Sequence, residues 1–364
     1  MILPQSPPKT IYFAVLNMGL GHATRSLPVM KALQQRGHRL VIGSSGRAMA
    51  FFRQEMPDAS FVVTPDYGIT YSKSKLLWPR LLLQAPGVLW AVMLEKELTH
   101  QVVFTRAIDC IISDNCYGAH SKLVPSYFIS HQLYFAMPRS MTLLRRTVGW
   151  VNRLPHRFYQ KIFVPDIEKA GEGLISGALS EIPSKQSDRY SHIGWLASVN
   201  KNNLSEDIDV LVSISGPEPQ RTFLEEKVLA DIRSIPGKKV VLLGKSEEEQ
   251  LLSEDSYLTV YNHLPRENMN ALLNRAKIIV SRPGYTTLME LAELGRKALL
   301  IPTPGQTEQI YLAKRLMDQN LYFSVEQSKL DLARDLQKAT QFPGLQRSGE
   351  TQKSVERLLQ ITGL

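Results

Sequence analysis

Short apolar runs alternate along this chain with longer stretches in which apolar residues recur every three or four positions. In the first half the runs cover residues 11–16, 39–43, 61–64, 108–113 and 127–130, with helical patterns such as 26–36 and 88–104 between them. The second half repeats the scheme, with strand-like runs near 210–215, 239–243, 258–261, 277–281, 297–301 and 321–324. Strand and helix in alternation predict parallel sheets flanked by helices, so the chain reads as α/β with two doubly wound, Rossmann-like domains. The polar stretch 171–207 predicts the break. The expected domains are therefore 1–170 and 208–340, with 171–207 as linker and 341–364 as a helical tail that folds back on the first domain.

The longest apolar stretch, 76–94, is interrupted by Pro79, Arg80, Gln84, Pro86 and Gly87. It falls short of the roughly 20 uninterrupted residues that cross a bilayer. The run 11–16 is too short for the core of a signal peptide, so a cytoplasmic location is expected. With 364 residues, 43% of them hydrophobic and 21% charged, the chain can bury a core in each domain. Cys110 and Cys116 cannot build a disulfide framework and have no metal-ligand spacing around them, so both read as packing residues.

Charge changes the picture of the first half. The net charge is +9, and residues 1–180 hold 20 Lys and Arg against 10 Asp and Glu, whereas residues 181–364 hold 23 against 24. Between Asp114 and Asp166 no acidic residue occurs, while Lys122, Arg139, Arg145, Arg146, Arg153, Arg157 and Lys161 do. Such a patch suits an anionic partner. With aromatic residues interleaved, segment 133–163 reads either as a surface that lies peripherally on an anionic membrane or as a helix with its apolar side in the core and its arginines in water. No nucleic-acid recognition motif accompanies the charge, so no nucleic-acid partner is expected.

Candidate chemistry gathers where strands end. The first run leads into Gly19-Leu20-Gly21-His22-Ala23-Thr24-Arg25 and then a helix, with Pro28 expected in or near its first turn. The loop lacks the third glycine of a dinucleotide fingerprint, which speaks against a nicotinamide cofactor. In an open α/β sheet the loops at the carboxyl ends of strands line the ligand crevice. His22 is well placed there as a general base, and Asp114 and His131, each following a strand, share its crevice. In the second half Ser215-Gly216 precedes a helix carrying Arg221, a candidate for gripping a diphosphate, and His263 follows a strand near the expected nucleotide base. Ser281-Arg282-Pro283-Gly284 sits between a strand and a helix opening with Tyr285 and Thr286. A glycine there lets a ligand approach the backbone, the helix start attracts phosphate, and Glu290 two turns on can accept ribose hydroxyls. Gln306 and Gln309 follow the next strand.

These residues together resemble the GT-B glycosyltransferases, specifically the family 28 type typified by the UDP-N-acetylglucosamine transferase of peptidoglycan synthesis. The resemblance rests on the Gly19-x-Gly21-His22-x-x-Arg25 loop and on Ser281-Arg282-x-Gly284, Glu290 and Gln306-x-x-Gln309. It implies two doubly wound domains facing each other across a cleft. It implies that Gly19, Gly21, Arg25 and His131 lie on the acceptor side, with His22 and Asp114 catalytic. Ser215, Gly216, Arg221, His263, Ser281, Arg282, Gly284, Tyr285, Thr286, Glu290, Gln306 and Gln309 are then donor-binding, with Gln309 at the sugar. The implied reaction is inverting transfer from a nucleotide diphosphate sugar, commonly a UDP sugar, to a hydroxyl acceptor, without metal or cofactor. Two rivals share the motifs: a nucleotide-sugar hydrolase of the same fold and a catalytically silent nucleotide-sugar binder. Pro283, Leu20 and Ile310 depart from the family pattern and leave donor sugar and acceptor unassigned.

Overall fold

A computed structural model describes residues 7–68, 77–137, 145–245, 250–346 and 349–364, with 77–82 and 184–186 described by their backbone only. In chain order the first elements are β1 (Thr10–Val15), α1 (Gly21–Gln35), β2 (Arg39–Ser44), α2 (Gly46–Glu55), β3 (Ser60–Val63), α3 (Leu77–Thr105), β4 (Cys110–Asp114), β5 (Ser126–Ile129), α4 (Arg145–Arg153), β6 (Lys161–Val164), a two-stranded hairpin of β7 (Glu168–Lys169) and β8 (Glu172–Gly173), and β9 (Tyr190–His192). There follow β10 (Ile208–Ser213), α5 (Gln220–Asp231), β11 (Lys239–Leu242), β12 (Leu251–Glu254), β13 (Leu258–Tyr261), α6 (Arg266–Arg275), β14 (Ala276–Ser281), α7 (Tyr285–Leu294), β15 (Lys297–Leu300), α8 (Thr307–Asp318), β16 (Phe323–Ser324), α9 (Leu332–Ala339) and α10 (Glu350–Thr362).

The chain divides into two compact units. Among the described residues, the first holds everything to Ser198 together with Glu350–Leu364, and the second holds Val199–Gly349. The stretch 171–207, expected as a linker, thus carries structure through most of its length. Tyr190–His192 closes the edge of the first sheet by pairing with β6, and Asp166 organises the turn before it by accepting from the backbone NH groups of Ile167, Ile175 and Ser176.

The first sheet runs β3-β2-β1-β4-β5-β6-β9, all parallel. Its strands are covered on both faces, as a parallel sheet requires. Alternation sends Ile11, Phe13 and Val15 into one core with α1 and α2, and Tyr12, Ala14 and Leu16 into another with α3. Val355, Leu358 and Leu359 of α10, spaced three and four apart, enter the first of these cores. The second sheet runs β12-β13-β11-β10-β14-β15-β16, parallel except for the edge strand β12. In each unit the strand order reverses beside the first strand, between β1 and β4 and between β10 and β14. These are the topological switch points, where the loops at the carboxyl ends diverge and leave a crevice.

Two helices depart from the expected pattern. α1 starts at Gly21, five residues earlier than the apolar periodicity indicates, so His22 belongs to its first turn and Pro28 lies about two turns inside it. α3 starts at Leu77 and keeps Pro86 within it. No helix among the described residues is long and apolar enough to cross a membrane.

Candidate functional site

In the first unit the site forms at the switch point. The β1–β4 register pairs Val15 with Asp114, which brings that carboxylate beside the loop 16–20. Gly19 takes a φ of +75°, a turn that a side chain would strain, and it delivers the chain into α1. His22, Arg25 and Ser26 stand at i, i+3 and i+4 and share one face of α1, the face turned to Asp114. Four donor atoms converge on that carboxylate: His22 Nδ1 at 2.8 Å, Arg25 Nε at 2.7 Å, Arg25 Nη2, and Ser26 Oγ at 2.9 Å. Arg25 Nη1 lies 2.8 Å from Nδ1 of His131, in the loop after β5. All five side chains are buried.

Burial opposes ionisation of Asp114, but the Arg25 guanidinium and His22 outweigh it and hold the carboxyl well below the usual range. His22 moves down as well, because burial and then Arg25 disfavour a second positive charge; Asp114 only partly offsets them. A carboxylate fixed as an anion and a histidine fixed as a neutral base are the components of a proton-abstracting pair. The structure brings His22, Arg25, Asp114 and His131 together as one network. Arg25 is not exposed to a ligand, since its guanidinium is engaged within the protein. Ser26 escaped sequence reading, although its i+4 spacing from His22 was the signal.

In the second unit the register places Ser281 next to Ser213 on one side and Leu300 on the other. The loops after β10, β14 and β15 therefore open side by side. Arg282, 1% exposed, ties them together through hydrogen bonds to the carbonyls of Ser215 (3.3 Å), Gln220 (3.0 Å) and Ile301 (3.0 Å) and to Gln327 Oε1 (2.6 Å). Its partners are all neutral, and burial lowers its pKa to about 10. Arg282 thus shapes the loops from behind. Arg221 is likewise engaged: it pairs with Glu218 and with Glu225 (2.7 Å) and donates to the Leu243 carbonyl (3.1 Å). Two carboxylates neutralise it, so the free guanidinium expected for a diphosphate is not there. A sequence does not say whether an arginine is satisfied by its own neighbours.

Other residues keep the space beside these loops open. Gly284 caps α7 with open space around it, since an added Cβ would meet only Thr287 Oγ1 at 3.7 Å. Tyr285 and Thr286 open that helix, and its first turn contains no acidic residue to offset the positive end of the helix dipole. Gly216, with φ +116°, abuts Thr303. Ser281 Oγ and Thr303 Oγ1 are buried and, among the described residues, have no hydrogen-bond partner. Ser281 lies three residues before Gly284 and Thr303 abuts Gly216, so each unsatisfied hydroxyl belongs to a loop at the carboxyl end of the sheet. Glu290 on α7 pairs with Arg266 at the start of α6, a residue three positions after His263 that sequence reading missed. His263 is half-buried after β13. Gln309 is buried, its Oε1 accepting from the Thr303 backbone NH at 2.8 Å, and Gln306 occupies the N-cap of α8. Among the described residues no group of His, Cys, Asp and Glu has the geometry of a metal site.

The basic segment 133–163 is not one helix. It contains α4, a 3-10 turn over Leu154–Phe158 and β6. Tyr159 and Phe163 are core residues, the Tyr134 ring carries the guanidinium groups of Arg145 and Arg153 at 4.8 and 4.4 Å from its centre, and Trp150 and Phe158 are exposed. Arg139 and the rest of 138–144 lie outside the described residues. Exposed apolar side chains also line α3: Leu83, Trp90 and Leu94 recur at i, i+7 and i+11 with Met93 beside them. Cys110 and Cys116 are both buried free thiols.

Residues 220–358 match the glycosyltransferase family 28 C-terminal domain. No curated protein matches the sequence. Among solved structures, the glycotransferase of kitacinnamycin aligns with a TM-score of 0.65 at 15% identity, over 98% of this chain and 99% of that one. MurG of Acinetobacter baumannii aligns with a TM-score of 0.61 at 14% identity, over 98% and 100%. The glycosyltransferase SsfS6 of Streptomyces sp. SF2575, solved with thymidine diphosphate, aligns with a TM-score of 0.58 at 13% identity, over 98% and 96%.

Proposed function

We propose that this chain, with its GT-B fold and its match to the family 28 C-terminal domain over residues 220–358, is a glycosyltransferase that moves a sugar from a nucleotide diphosphate donor to an acceptor hydroxyl with inversion and without a metal. The observation that carries the reading is the buried His22–Asp114 pair, 2.8 Å apart at a topological switch point. His22 Nε2 takes the acceptor's proton as the hydroxyl oxygen attacks the anomeric carbon, and Asp114 stabilises the imidazolium that forms. The bond to the diphosphate breaks in the same displacement. The charge that develops on the leaving group is met by the α7 N-terminus and by the Ser281 and Thr303 hydroxyls, which act more strongly on the transition state than on the neutral-linked sugar. Arg221 has no part in this step. Glu290, with Arg266 beside it, holds the ribose, and Gln309 the sugar. The thymidine diphosphate bound by SsfS6 supports a nucleoside diphosphate as the leaving group, and a uridine donor is the first to test.

The acceptor in this reading is carried on the inner face of the cell membrane, lipid-linked. Support comes from the exposed apolar stripe of α3, Trp150 on α4 and the cations Lys122, Arg145, Arg146, Arg153 and Arg157. One experiment tests the whole reading: the protein is incubated with UDP and TDP sugars, with and without envelope lipid extract and chelator, and nucleoside diphosphate is followed. Release that depends on extract and survives the chelator is the expected result. Release without extract would mean a hydrolase, and binding with no release a silent binder. His22→Ala should lose on the order of 10²–10⁴ in turnover while still binding donor. Sedimentation with anionic vesicles should weaken with salt; no sedimentation even at low salt would end the membrane part of the reading.

A further inference from the structure

We infer that Arg25 is a positioning residue that fixes the tautomer of His131, placing its hydrogen on Nε2, while Asp114, held by the same guanidinium, keeps the hydrogen of His22 on Nδ1 and leaves its Nε2 bare. The inference rests on the reading of His22 as the base and goes beyond it by naming what sets the state of both rings.

An ionised carboxylate only accepts hydrogen bonds, and a guanidinium only donates them. His22 Nδ1 is 2.8 Å from Asp114 Oδ1, so it must carry the hydrogen there. It also lies 3.0 Å from Arg25 Nη2. That second approach pairs donor with donor and is no hydrogen bond; it arises because both groups donate to the same Oδ1. With Nδ1 protonated, Nε2 holds the lone pair that catalysis needs.

His131 is the opposite case. Its Nδ1 lies 2.8 Å from Arg25 Nη1, and since Arg25 can only donate, Nδ1 must accept. Its hydrogen is then on Nε2. One guanidinium therefore reaches a carboxylate with Nε and Nη2 and a histidine with Nη1, a fixed fork that only arginine supplies. The first unit consequently presents one imidazole able to take a proton and one able to donate a hydrogen bond. A ring of the wrong tautomer at either place would reverse its role.

The test is a ring-nitrogen correlation spectrum of the ¹⁵N-labelled full chain, with the two signals assigned from His22→Gln and His131→Gln. The expected pattern is protonated Nδ1 and bare Nε2 for His22, and bare Nδ1 with protonated Nε2 for His131. Finding His131 protonated on Nδ1 in the parent protein overturns the inference, and that result needs no variant to fold. In Arg25→Lys the ammonium, a single point donor, cannot serve Asp114 and His131 together. His131 should then lose its single tautomer while His22 keeps its own. Turnover number should fall about tenfold to a hundredfold, a fraction of what a positioned base supplies, with the donor KM unchanged. An unaltered His131 signal in Arg25→Lys overturns the inference. The reading of His22 as base fails separately: if His22→Ala turns over at the parent rate, the base is lost and the tautomer assignment stands.

Discussion

At the scale of single residues, the first unit concentrates unusual chemistry on one carboxylate. Asp114 accepts from His22, Arg25 and Ser26, and the consequence reaches the pH profile of the reaction. His22 faces Arg25 on its own helix, Asp114 and Asn115 at the end of β4, and His131 after β5. Its pKa is lowered, so its base form persists below the ordinary value of about 6.5. The acid limb of kcat/KM, which reports the free enzyme's base, should therefore lie below pH 6.5. Removing the guanidinium's charge with Arg25→Gln should move that limb upward, and a limb that stays in place would show that Arg25 does not act on His22. The residue scale is also where sequence reading was least complete. His22 was legible from the glycine loop that follows a strand-like run, and Asp114 because it ends one. That Arg221 and Arg282 are engaged internally was not, because Glu225 and the Ile301 carbonyl become their neighbours only through helix pitch and sheet register.

At the scale of elements, most strands were legible because parallel strands buried on both faces read as continuous apolar runs. The exceptions have physical causes. β9 is only three residues long and reads Tyr-Ser-His, with no apolar run to betray it. α2 contains Gly46 at its start and charged residues on its outer side. α3 was expected from residue 88 because Pro86-Gly87 reads as a break, yet the helix passes through it. α10 shows how an element acts on a distant part of the sequence. Leu358 and Leu359 are fully buried in the core around β1 and α1, while Arg36 reaches the Leu364 carbonyl at 2.7 Å. Leu358→Ala should cost about 2–5 kcal/mol, read by denaturant unfolding. A loss under about 1 kcal/mol would mean that α10 is not integral to that core.

At the scale of the whole molecule, the placement of the histidines predicts that the two units differ in their response to acid. His22, His38, His120, His156 and His192 all have lowered pKa values, with burial the first cause in each, and His120 and His156 fall to about 4 and about 3. All five belong to the first unit, and the second has only His263. A histidine whose folded pKa lies below its unfolded value leaves the unfolded chain binding more protons in between. Its contribution to stability is complete above about pH 6.5 and shrinks as pH falls toward the folded value. Asp114, also depressed, adds its loss only at more acid pH, below the ordinary carboxylate value of about 4. Hydrogen exchange between pH 7 and pH 5 should show protection falling in the first sheet before the second, and equal loss in both would refute this account. His120→Phe, which keeps the ring stacked on Phe158, should reduce the difference.

The last helix gives the chain an order of birth. A protein is made from its N-terminus, and domains fold as they emerge, but the core around β1 lacks Val355, Leu358 and Leu359 until that helix leaves the ribosome. The described residues of the second unit all lie within 199–349, so they are made before the first unit is complete. The first unit therefore completes its core only after the second has been made, and a nascent chain stalled before residue 350 should expose an apolar seam along α1 for chaperones to cover.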